Sequence, residues 1–309
     1  MTSIALRNIA KRIPVVRGAM YSTPQYHVGS VLENRLGLQI FRVLSKRVSR
    51  ALRSPKISEE ALPMVRTLER DGILVIPDFL DPALFDKVRL EFESASATVP
   101  PAAYKDREDA RLFRKQLRLA DSPENFPVIR STFQCNALLD EIASAVIRRP
   151  ITRRPEVLLD TYQCMARDRE DNDIENILHA DLHVPTIKMF FYLTDTNATN
   201  GAFVYAKGSH KLSLARLRHE YDLSVREAKL DRGLKVDPQL VERRSSEVRN
   251  IISPASRLRM KVSETQACVA ANTLVIANNM GFHRRGVFTS DRPRKALLIN
   301  YRNAERSLL

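Results

Sequence analysis

The sequence predicts a mainly β fold with flanking helices, organised as a double-stranded β-helix, a barrel of the jelly-roll type. Two observations carry this. Short β-type runs recur through the second half of the chain, each bounded by turn-forming residues, whereas the helical patterns lie mostly ahead of them. No repeat of about 20–50 residues is visible, which argues against a solenoid or propeller. A length of 309 residues with 44% hydrophobic content suits one large domain plus appendages, or two small domains, with a sizeable core.

Residues 1–57 form an arm that stands apart in charge. It holds 11 of the 50 Lys and Arg with a single acid, Glu33, for a net +10; the remaining residues set 39 basic against 35 acidic groups. The high isoelectric point therefore belongs to the arm, and nucleic acid is not an expected partner of the whole protein. Leu36, Ile40, Leu44, Val48 and Leu52 recur every four residues, with Arg42, Lys46, Arg50 and Arg53 opposite, the pattern of an amphipathic basic helix. The expected arrangement packs the apolar face on the body and leaves the basic face in water. Peripheral contact with an anionic membrane through residues 31–53 is the functional alternative. Residues 1–20 carry Arg7, Lys11, Arg12 and Arg17 and no acid, which resembles a mitochondrial presequence; they lack the long apolar stretch of a secretory signal. The expected location is cytoplasmic, or mitochondrial if that segment is a presequence. No uncharged apolar run approaches the ~20 residues that span a bilayer. Cys135, Cys164 and Cys268, odd in number and widely spaced, read as reduced thiols.

The body, residues 58–309, follows Pro55. A helix over 58–70 ends at Asp71 and Gly72, Gly being common just beyond a helix end. Ile73–Ile76 reads as a buried strand, and Asp81 as an N-cap with Pro82 at the first helical position. That helix is expected to end near Pro100, and the charged stretch 101–126 to be irregular, with at most a short helix. A helix over 136–149 and a strand over 157–165 follow, then a polar loop over 167–176. Strands are expected over 186–194, 202–206 and 273–277, with the pair Asn200 and Gly201 as a turn. The charged region at about 211–260 reads as a helical insertion, a lid over the substrate.

The chemistry centres on His179, Asp181 and His283. Residues i and i+2 of an extended segment project to one face, so His179 and Asp181 can chelate one ion, with His283 brought alongside on another strand. Two imidazoles and a carboxylate with open positions form the facial triad of non-haem Fe(II) oxygenases. Arg294, eleven positions after His283, offers a planar fork that pairs bidentately with a carboxylate. His183 raises a helical His-x-x-x-His zinc site, but Ala180 replaces the general-base Glu and Pro185 disfavours a helix. His210 reads as a structural hydrogen-bonder, and His27 and His219 have no ligand-spaced neighbours. Lys188, Phe190 and Tyr192 share one strand face; turned inward, Lys188 would meet a carboxylate and Phe190 would wall a cosubstrate. Turned outward, they are merely core or surface. Arg284, Arg285 and Lys295 either favour an anionic substrate or are solvated charges.

The order His179-x-Asp181, a strand, the Asn200–Gly201 turn, Gly208-Ser209-His210, His283 and Arg294 resembles the phytanoyl-CoA dioxygenase family of Fe(II)/2-oxoglutarate-dependent oxygenases. The resemblance runs from about Asp71 to Tyr301 and is strongest over 178–211 and 272–301. One departure is the absence of tryptophan: Phe190 stands where many relatives place one. The resemblance implies a cupin-like barrel, with Fe(II) on His179, Asp181 and His283. It also implies 2-oxoglutarate as cosubstrate with its distal carboxylate on Arg294, and O2 as oxidant. The implied reaction is hydroxylation of an unactivated C–H bond of a small or lipid-like substrate, with release of succinate and CO2. Related halogenases replace the carboxylate with a small residue, so Asp181 favours hydroxylation or another oxidation. A non-catalytic barrel that only binds, and an interaction protein using its basic helix, remain as alternatives.

Overall fold

The computed structural model describes residues 29–100, 102–103, 112–164, 174–236 and 250–301. The expectations for 1–20, for most of the loop 167–176 and for part of the insertion lie outside these residues, as does His27. Helices α1 (Val31–Arg35), α2 (Leu38–Ala51) and α3 (Leu62–Asp71) precede strand β1 (Ile73–Ile76) and helix α4 (Pro82–Ala97). Strands β2 (Ala102–Ala103) and β3 (Leu112–Arg118), helix α5 (Ala137–Ile147) and strands β4 (Glu156–Cys164), β5 (Ile187–Tyr192) and β6 (Phe203–Ala206) follow. Helices α6 (Leu214–Leu230) and α7 (Pro254–Arg259) lead to β7 (Glu264–Gln266), β8 (Thr273–Asn278), β9 (His283–Arg285) and β10 (Arg294–Tyr301).

The strands form a seven-stranded sheet in the order β1-β8-β5-β10-β4-β3-β2 and a three-stranded sheet in the order β7-β6-β9, every pair antiparallel. The two-residue period of β5 separates two apolar layers. Ile187, Met189 and Phe191 join the core beneath the helices, with Leu68, Phe92, Phe133 and Ile142. Phe190 and Tyr192 point the other way, into the layer between the sheets, with Phe203, Tyr205, Val275 and Ala296. The expected architecture, a β barrel-like body flanked by helices, is what the chain adopts.

Local chemistry sets the element ends. The Asp81 side chain accepts from the Leu84 amide, with Pro82 in the first turn, and Asn136 caps α5 in the same way through Leu139. Gly72 ends α3 at φ 80°, where a Cβ would strike the Tyr205 hydroxyl and the His210 ring. Only glycine meets both conditions.

Two expectations are corrected. Within the stretch 101–126, residues 101 and 104–111 lie outside the described ones, and 112–118 are not irregular: β3 pairs along its whole length with β4, from Leu112 opposite Cys164 to Arg118 opposite Leu158. Its charged side chains reflect a half-buried strand near the sheet edge, beyond which, among the described residues, only the two of β2 pair. Arg114 there is held by both oxygens of the buried Asp160, at 2.6 and 3.0 Å. The second correction concerns α2, which is inverted. Gln39, Arg42 and Lys46 are buried, while Phe41, Leu44, Val48 and Leu52 are exposed. The reason is the surface it meets: α6 presents buried Arg216, Glu220 and Glu227, so polar groups must face it. Gln39 donates to Glu220 at 3.1 Å and receives the Arg42 guanidinium at 2.7 Å. Helix α6 is thus a packed wall between α1–α2 and the barrel. Among the described residues no helix is long and apolar enough to cross a membrane.

Candidate metal centre

His179 and His283 are joined by an isolated antiparallel bridge, each amide donating to the other's carbonyl at 2.9 and 2.7 Å. The bridge aligns two segments distant in sequence and holds the ring centroids 4.8 Å apart. Asp181 completes a group whose ligand atoms all lie within 4.8 Å of one another. Its Oδ1 stands 3.9 Å from His179 Nε2 and 3.3 Å from His283 Nε2.

The inward tautomers are set from behind. His179 Nδ1 lies 2.7 Å from the Ile177 carbonyl and His283 Nδ1 3.0 Å from that of Gly281, so each Nδ1 carries the proton and each Nε2 presents a lone pair. His283 Nε2 is buried and makes no hydrogen bond. A buried acceptor without a partner is costly unless a ligand completes it. Burial, together with His283, pushes the His179 imidazole down to about 4 despite Asp181, leaving it neutral and able to bind a cation. Burial alone would raise the Asp181 carboxyl, but the Lys188 ammonium beside it opposes this, and the group is held well below the usual carboxylate range. A neutral imidazole, a lone-pair donor and an anionic oxygen fit a divalent transition metal.

Sequence reasoning missed Asn279, one of the two groups that orient Asp181. Its Oδ2 receives Asn279 Nδ2 at 2.6 Å and Lys188 Nζ at 3.1 Å, which leaves Oδ1 turned toward the imidazoles. The Asn279 amide bonds to the Thr186 carbonyl, and its own carbonyl accepts from Asp181 N–H, so this residue ties both motif segments together. An asparagine four positions before a histidine carries no signal of that role. Ser209 was missed too: its hydroxyl accepts from Phe282 N–H at 2.7 Å and fixes the approach to His283.

Lys188 does turn inward, and the carboxylate it meets is Asp181. Phe190 lies 4.8 Å from Phe203, which in turn lies 5.6 Å from His283, so it lines the same interior. Arg294 opens β10, buried opposite Tyr162. Its guanidinium donates to the Gly201 carbonyl and sits over the rings of Tyr162 and Phe288 at 4.6 and 5.4 Å. Gly201, at φ 77°, is pressed against Phe288 with no room for a Cβ. Arg285 shares the same two rings at 5.4 and 5.3 Å. Arg284 and Lys295 instead pair with Glu264 and Glu93, each at 2.7 Å, the first pair half-buried and the second nearer the surface.

The remaining histidines stay outside the group. His183 is buried near Arg42 and Glu220; burial, then Arg42, depresses it to about 3. His210 Nε2 is bonded to the Glu69 carbonyl, and His219 Nε2 to Asn250.

A jelly-roll-type body with two imidazoles and a carboxylate on facing segments defines the class of two-histidine, one-carboxylate metalloproteins. The family model for phytanoyl-CoA dioxygenase (PhyH) matches residues 68–296, and the chain belongs to that family. Among curated proteins no sequence matches it. Among solved structures, the chain is similar to the epimerase SnoN in complex with Fe3+, alpha ketoglutarate and nogalamycin RO, at 12% identity, covering 78% of this chain and 83% of that one with a TM-score of 0.49. It is similar also to HygX from Streptomyces hygroscopicus with nickel and 2-oxoglutarate bound, at 18% identity, 80% and 87% coverage and a TM-score of 0.46. EctD from S. alaskensis with bound Fe shows 13% identity, 81% and 80% coverage and a TM-score of 0.45.

Proposed function

We infer that the chain is an Fe(II)- and 2-oxoglutarate-dependent dioxygenase that hydroxylates an unactivated C–H bond of a small or lipid-like, anionic substrate. The observation that carries this reading is the convergence of His179, Asp181 and His283 within 4.8 Å, with His283 Nε2 buried and unpartnered. These three residues would hold the iron, which when bound activates O2 at the expense of 2-oxoglutarate, releasing succinate and CO2. Arg294 would bind the distal carboxylate of the cosubstrate, clamped between Tyr162 and Phe288 so that its fork is already oriented. Lys188 would hold Asp181 in its ligating orientation and add positive charge near the cosubstrate, and Phe190 would wall it. Arg285 would supply a cation for an anionic group of the substrate. The carboxylate at position 181 supports hydroxylation over halogenation.

Anaerobic addition of Fe(II) and then 2-oxoglutarate should produce a metal-to-ligand charge-transfer band, and air should then yield succinate. His179→Ala, Asp181→Ala and His283→Ala should each abolish the band while leaving circular dichroism unchanged. Iron binding by all three variants at the parent's affinity would overturn the ligand set. A parent that binds iron and 2-oxoglutarate but forms no succinate with any substrate would favour a non-catalytic barrel.

A further inference from the structure

Among the described residues, six of the twelve large apolar side chains that are exposed lie between Leu32 and Leu52, so apolar exposure is concentrated in α1–α2 and the residues around them. On and just beyond α2, Phe41, Leu44, Val48 and Leu52 are 51%, 40%, 60% and 82% exposed. Their spacing of three and four places them on one stripe, opposite the polar face that α6 covers. Soluble proteins rarely leave such a stripe bare without a partner.

Charge identifies the partner. The arm holds 11 Lys and Arg against Glu33, so a second copy of this chain would meet the stripe with the same positive charge. A bilayer with anionic lipids meets it with the opposite one. A cleft of about 320 Å3 opens beside the stripe and shares α2 with it through Arg47, Arg50 and Ala51; Arg148 and Lys211 face them. Among the described residues lining it the one acid is Glu69, which pairs with Arg148 at 3.2 Å. Arg50 bonds to the Val146 carbonyl at 2.7 Å, whereas Arg47 and Lys211 make no ion pair among the described residues.

The geometry points to α2 as a membrane-docking helix, whose apolar stripe enters the acyl boundary of an anionic bilayer while the adjoining basic cleft receives a lipid headgroup phosphate. The stripe supplies burial and the cleft supplies selectivity for negative lipid. This assignment stands independently of the metal chemistry.

The test uses the full-length protein and sedimentation with vesicles of phosphatidylcholine, alone or mixed with phosphatidylglycerol. The parent should sediment with the mixed vesicles and not with the neutral ones, less so as salt rises. Val48→Glu with Leu52→Glu should lower partitioning about tenfold or more, since each side chain loses its apolar burial. Its thermal unfolding should stay unchanged, both positions being exposed. Arg47→Glu with Lys211→Glu should remove the preference for anionic vesicles. A parent that stays in the supernatant, or a Val48→Glu/Leu52→Glu variant that sediments like the parent, would overturn the assignment. So would a dimer in light scattering that this variant dissociates, which would show a second copy on the stripe. Stabilisation by inorganic phosphate without vesicle binding would make the cleft a free-anion site and overturn it equally.

Discussion

Asn279→Ala should weaken metal binding although Asn279 is not a ligand. The Asp181 carboxylate divides its labour: Oδ2 is occupied by Asn279 at 2.6 Å and Lys188 at 3.1 Å, and Oδ1 faces the imidazoles. Removing the amide leaves Oδ2 with the lysine alone, on a flexible stem, and the carboxylate gains rotational freedom. A hydrogen bond to a charged group contributes about 1.5–3 kcal/mol. A third of the Asp181 side chain is exposed, so water replaces part of the lost bond and the lower end applies. The expected loss is roughly tenfold in Fe(II) affinity, at the low end of what outer partners of metal ligands usually contribute.

Anaerobic titration with Fe(II), and with Co(II) as a spectroscopic surrogate, measures this directly. Lys188→Met should weaken metal binding as well, and should in addition raise the 2-oxoglutarate requirement if the ammonium also faces the cosubstrate. Asn279→Asp is the sharper control, because it sets a second carboxylate against Asp181 and should cost more than the alanine. If Asn279→Ala binds both metals as the parent does, with an unchanged melting temperature, Asp181 needs no orienting partner and the division of its oxygens is wrong.

Arg294→Lys keeps the charge and loses the fork, so the 2-oxoglutarate requirement should rise with little change in Fe(II) affinity; Arg294→Ala should cost about 2–5 kcal/mol in cosubstrate binding. Exposed Arg292 is the control, and a greater loss from Arg292→Ala would show that the assignment to Arg294 is misplaced. Gly72→Ala should destabilise the fold by about 2 kcal/mol or more, read in urea unfolding, because φ 80° is strained for alanine and the Tyr205 hydroxyl occupies its Cβ position. Asp81→Ala should cost about 1 kcal/mol through loss of the α4 cap.

The site was legible where its chemistry is written in residue types at fixed offsets. A histidine and an aspartate two apart on an extended segment must share a face, and the distal histidine needs only a strand that returns. Asn279 was not legible, because its role depends on a turn after β8 meeting Asp181, and nothing near it in sequence records that meeting. Strand β3 was hidden for a related reason. Its alternation is blurred by Arg114 and Lys115, and its partner Asp160 becomes visible as one only when the register of β3 on β4 is known.

Helix α2 marks the limit most clearly. Periodicity separates two faces and assigns apolar residues to one of them, but which face turns inward depends on the surface that waits for it. Here that surface is α6, whose acids at 220 and 227 lie in the segment expected to be a separate insertion. With Gln39 bonded to Glu220 and the Arg42 guanidinium bonded to Gln39, the polar face of α2 is turned onto α6, and among the described residues the apolar stripe is left exposed. The inversion therefore explains the exposure and points to a partner at once. A helix that buried its leucines on the barrel would need none.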